Sequence, residues 1–164
     1  MHFTTLLLTA FASTLAYAAP AASNDDGSAL DKRWPCKTAW PLGVSQIDIS
    51  KKSGQASTQQ WLTFAPPASA VGACSLVATF PANYPINNQG NAQVNVYDGG
   101  AGPAPGALVG TITFASETWG PKLNTINSFA CRPQVDFRLE MAGAEGSTSF
   151  AEGNGAGIAL TYDC

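Results

Sequence analysis

The chain has 164 residues, a formal net charge of −3 and a single histidine, His2. With no histidine beyond position 2, Ser-His-Asp and Cys-His catalysis and every histidine-ligated metal site are excluded for the body of the chain. Its eight Lys and Arg residues form no dense patch, so nucleic acid and anionic membrane surfaces are poor partners.

The chain opens MHFTTLLLTAFASTLAYA, an apolar run from Leu6 to about Leu15 followed by Ala16-Tyr17-Ala18. The run is too short for a bilayer, which needs roughly 20 apolar residues. Small residues at both key positions of an A-x-A site predict a secretory signal peptide over 1–18, cut after Ala18. The next stretch, APAASNDDGSALDKR, is small, polar and acidic, and it ends in Lys32-Arg33. Such a stretch cannot bury enough surface to offset its ordering entropy, so its dibasic pair is open to a processing protease. A propeptide is expected over 19–33, with Trp34 starting a single domain of 131 residues, 34–164. Loss of Asp25, Asp26, Asp31, Lys32 and Arg33 takes the formal charge from −3 to −2.

From Trp34 onward the periodicity is that of strands. In chain order the strand candidates are VSQIDI from Val44, QQWLTF from Gln59, CSLVATF from Cys74, QVNVY from Gln93 and ALVGTITF from Ala107. LNTINSFA from Leu123, QVDFRLEMA from Gln134, STSFA from Ser147 and GIALTYD from Gly157 complete the set. The clearest is QVDFRLEMA: Val135, Phe137, Leu139 and Met141 share one face, and Asp136, Arg138 and Glu140 the other. Trp61 and Phe64, within a strand, are expected in the core. Breakers such as APPASAVG, PANYPINNQGN, DGGAGPAPG, ETWGPK and AEGNGAG separate the strands. About nine short strands with such spacing predict an all-β fold, an antiparallel β-sandwich.

The four cysteines, Cys36, Cys74, Cys131 and Cys164, lie in no CxxC spacing and predict two disulfides in place of a metal site. Three pairings are open. The preferred set joins Cys74 to Cys131, two internal strand ends, and Cys36 to Cys164, because the ends of a single domain often lie close together.

Without histidine, hydrolysis would fall to carboxylates. Asp136 and Glu140 lie four strand steps apart, roughly 13 Å. Glycosidase pairs need about 5 Å or roughly 6.5–9.5 Å. With Arg138 between them, a solvated, ion-paired face is expected. A cross-strand pair such as Glu117 with Asp98 stays open. GNGAG, residues 153–157, is not G-x-G-x-x-G and precedes no helix pattern, so it is read as a glycine turn. No N-x-S/T sequon occurs.

The aromatic best placed for recognition is Trp119. SETWGPK is a turn that combines this ring with Glu117 and Lys122. An exposed ring there can stack on a sugar or anchor a partner; the competing arrangement folds it back over the core edge. Tyr84, in PANYPI, is a weaker candidate of the same kind.

Three stretches, WLTFAPPASAVGACSLVATFP (61–81), SFACRPQVDFRLEM (128–141) and SFAEGNGAGIALTYDC (149–164), resemble fungal secreted domains of the ubiquitin 3 binding protein (But-two type) C-terminal domain family. The matching marks are Cys74-Ser75-Leu76, Phe129-Ala130-Cys131 and the glycines from Gly153 to Gly157, within residues 59–164. The resemblance implies a β-sandwich and a fungal, extracellular setting. It brings no catalytic residues, and the cytosolic interaction in the family's name does not suit a disulfide-bonded secreted chain.

The function expected is therefore non-enzymatic: a secreted, extracellular or cell-wall-associated β-sandwich that uses Trp119, Glu117 and Tyr84 to bind a polysaccharide, a surface or an extracellular host protein. No cofactor or metal is expected. The alternative is a carboxylate-dependent glycan-active enzyme.

Overall fold

Alternation along Val135–Met141 is reproduced residue by residue in burial: Val135, Phe137, Leu139 and Met141 are buried, and Asp136, Arg138 and Glu140 are half-buried on the outer face. The computed structural model describes residues 36–100, 106–153 and 155–164. The expected signal peptide, propeptide and processing residues Ala18, Lys32 and Arg33, with the domain start at Trp34, lie outside them.

Eleven strands and no helix occur among the described residues. They are β1 (Lys37–Ala39), β2 (Gln46–Lys51), β3 (Gln60–Phe64), β4 (Ala73–Phe80), β5 (Asn87–Gly90) and β6 (Gln93–Asp98), then β7 (Leu108–Thr113), β8 (Lys122–Ala130), β9 (Val135–Met141), β10 (Gly146–Ala151) and β11 (Gly157–Tyr162). They form three sheets, ordered β1-β11-β4-β8, β3-β9-β6-β7 and β2-β10-β5. Every pairing is antiparallel. The chain is an all-β, sandwich-like fold.

All nine expected strands are present, and β1 and β5 add to them. Neither carries an apolar alternation. β5 reads NNQG and is exposed throughout; it is a strand because it pairs with β10 from Gly146 to Ser149. β1 is three residues long and is held against β11 beside the Cys36–Cys164 disulfide.

The core is aromatic at its centre. Phe80 meets Phe150 at 5.1 Å and Phe114 at 6.1 Å, both edge-on, and Phe137 meets Phe64 at 6.0 Å and Phe129 at 5.7 Å. Phe64, Phe80, Phe114 and Phe137 are each essentially inaccessible to solvent. Burying such a side chain is worth roughly 1.5–3 kcal/mol, and edge-to-face geometry adds to it.

Trp61 departs from expectation. It is 52 % exposed, because Leu62 and Phe64 take the inward positions of β3 and the period of two turns Trp61 outward.

Both disulfides have the preferred pairing. Cys36 and Cys164 have Cα atoms 4.2 Å apart, and Cys74 and Cys131 4.9 Å. The first ties the strand pair β1–β11; the second joins β4 to the chain just beyond β8. Together they are compatible with an extracellular protein.

Candidate functional site

The chain between β7 and β8 must reverse direction, and Gly120-Pro121 at its end suits a turn better than a strand. This loop is braced by its neighbour, the chain between β4 and β5. The N–H of Asn83 donates to the carbonyl of Glu117 at 2.8 Å, and the hydroxyl of Ser116 donates to the carbonyl of Tyr84 at 2.8 Å. Asn83 has φ 57°, a left-handed turn position that asparagine tolerates.

Trp119 projects from this loop and is 94 % exposed, so it does not fold back over the core. Beside it Glu117 pairs with Lys122 at 3.0 Å. The structure thus brings Tyr84, Glu117 and Trp119 into two adjoining loops. Tyr84 is engaged within the protein: its ring lies 5.7 Å from that of Phe80, and its hydroxyl donates to the carbonyl of Ala151 at 3.0 Å. It supports the loop pair from beneath. An indole with a carboxylate and an ammonium at its side can stack on an apolar ring face and hydrogen-bond at the rim.

Of the carboxylates considered for catalysis, Glu140 pairs with Arg138 and accepts from Gln59 at 2.7 Å. Asp136 accepts from Thr63 at 2.7 Å and Gln134 at 3.0 Å. Glu117 and Asp98 are not brought together. Asp98 closes the far end of β6, where it accepts from the Gly100 N–H at 3.0 Å and faces Arg132 at 3.6 Å. At the GNGAG stretch Gly153 and Ala156 exchange backbone hydrogen bonds of 2.8 and 3.0 Å, in keeping with a glycine turn. Among the described residues no three His, Cys, Asp or Glu side chains gather as a metal site.

Two features escape a reading of the sequence alone. One is Glu152, just before that turn. Its buried carboxylate accepts from the Ile158 N–H at 2.9 Å, and burial pushes its pKa up to about 8. Gly157 and Ile158, at the start of β11, close over it, and nothing local in AEGNG announces that. The other is the outer face of the β3-β9-β6-β7 sheet, where Trp61 stands opposite Arg138. The period of two set by Leu62 and Phe64 is the sequence signal for it.

No family model, curated protein or solved structure matches the chain.

Proposed function

We propose that this is a non-enzymatic secreted protein that binds an extracellular ligand, a wall polymer or a protein surface, through the loop that carries Trp119. One observation carries the reading: a tryptophan 94 % exposed on a loop held by cross-loop hydrogen bonds. Leaving an indole in water forgoes the burial that normally recruits it, and anchors of this kind dominate binding energetics. Glu117 and Lys122 supply rim hydrogen bonds. The signal-like leader and the two disulfides support an extracellular setting, and the fungal family resemblance would suit it. The carboxylate-enzyme alternative gains no support from the placement of Asp136 and Glu140.

Pull-down from culture supernatant and from suspended wall polysaccharides, comparing the wild type with Trp119→Ala, tests the reading. Loss of the captured ligand in the variant supports it; equal capture by both proteins refutes it.

A further inference from the structure

Four side chains line up across the outer face of the β3-β9-β6-β7 sheet. Trp61 is the register partner of Arg138, Arg138 of Tyr97, and Tyr97 of Leu108. The last pairing depends on a bulge: the register shifts between Val96 and Tyr97, so Val109 is skipped and Leu108 comes opposite the tyrosine. Trp61 is 52 % exposed and Leu108 57 %. The Arg138 guanidinium lies over the Tyr97 ring, 4.8 Å from its centroid, and Glu140 holds it there. Neighbouring strands are about 4.8 Å apart, so the row is one side chain wide and roughly 14 Å long.

Both flanks of the row are polar. On one side Gln59 donates to Glu140 at 2.7 Å, Thr111 donates to Asn95 at 2.9 Å, and Asn95 donates to the Tyr97 hydroxyl at 3.1 Å. On the other, Thr63 donates to Asp136 at 2.7 Å. These bonds order the side chains yet leave each amide, hydroxyl and carboxylate with further hydrogen-bonding capacity.

Charge narrows the occupant. Arg138 is the one cation that β9 presents on this face, and Asp136 and Glu140 stand on either side of it. The strip is net negative, so a polyanion is repelled. Arg138, already engaged by Glu140 and Tyr97, offers no open anion site. A protein partner would need a broader apolar patch than a single row. A chain of pyranose rings has the matching layout, an apolar C–H face bordered by hydroxyls.

We infer that this sheet face is a second binding site, laid out for an extended, uncharged polysaccharide chain along Trp61, Arg138, Tyr97 and Leu108. It goes beyond the loop reading and does not depend on Trp119. The Trp119 loop leaves the Thr113 end of β7, whereas the row crosses at Leu108, the other end of a strand about 17 Å long.

Sedimentation with chitin, cellulose and a β-1,3-glucan, and affinity electrophoresis with polygalacturonate as the charged control, test it on the full chain. At least one uncharged polymer is expected to retain the protein. Trp61→Ala and Leu108→Asp are each expected to cut retention roughly tenfold. Trp61→Phe, which keeps an aromatic face, is expected to retain most of it. The inference is overturned if no uncharged polymer retains the wild type, if Trp61→Ala binds like the wild type, or if polygalacturonate is preferred. Loss confined to Trp119→Ala would refute the sheet face and leave the loop reading standing; loss confined to Trp61→Ala would do the reverse.

Discussion

The backbone N–H of Ile158 donates to the buried carboxylate of Glu152 at 2.9 Å, and no cation pairs with that carboxylate among the described residues. Burial outweighs the single hydrogen bond and raises the pKa from 4.5 to about 8. Between those two values the folded protein holds a proton that the unfolded chain has lost, so raising the pH favours unfolding. The contribution of Glu152 is full below about pH 4.5 and is lost as the pH climbs to about 8. A loss on the order of 2–4 kcal/mol is expected, allowing for residual water contact. Glu152→Gln keeps an acceptor for Ile158 and removes the titration. Urea melts from pH 4 to 9 should show a flatter profile for the variant; parallel profiles would show that Glu152 does not titrate in this window.

Trp119→Ala separates recognition from stability. At 94 % exposure the side chain contributes little packing, so the change is expected to shift unfolding free energy by no more than about 0.5 kcal/mol. Binding of the captured ligand is expected to weaken by about 2 kcal/mol or more. A thermal melt and a binding isotherm on the same preparation measure both.

Removing Cys74 and Cys131 together, as Cys74→Ala with Cys131→Ala, opens a loop of 57 residues. A cost of roughly 2–5 kcal/mol is expected. Guanidinium titration measures it, and an unchanged midpoint would count against any stabilising role for this bond.

Gly157→Ala and Gly155→Ala make a matched pair two residues apart. Both glycines have positive φ, 118° and 84°, so either alanine strains the backbone. A Cβ on Gly157 would also come within 2.3 Å of the Glu152 carboxylate, while one on Gly155 meets open space. Gly155→Ala is expected to cost about 1–2 kcal/mol, and Gly157→Ala about 1 kcal/mol more, because the Glu152 carboxyl must swing aside and give up its bond to the Ile158 N–H. Equal melting temperatures for the two variants would contradict the close approach at Gly157.

The nine longer strands were legible because their alternation is a local property, and every inward apolar position of β9 is buried as the pattern requires. β1 and β5 were not legible: their strand character comes from partners distant in sequence, β11 and β10, and their own residues are polar or small. For Trp61 membership of a strand does not decide the face: Leu62 and Phe64 point inward, so the period of two turns Trp61 outward. The position of Trp119 in a turn was readable, whereas its bracing by Asn83 belongs to a loop that the sequence places some 35 residues away. The burial of Glu152 depends on where the next strand returns. The bulge that brings Leu108 opposite Tyr97 leaves no mark in either strand taken alone.

The Cys36–Cys164 bond spans 128 residues, so every loop described above lies inside one covalent ring. A protease that cuts once between these two cysteines opens the ring and releases nothing. Both fragments stay joined, and the sheets can hold their pairing across the nick. Damage of this kind is silent on a non-reducing gel and emerges as two bands only when a reductant is added. A surface loop can therefore be cut without the molecule coming apart.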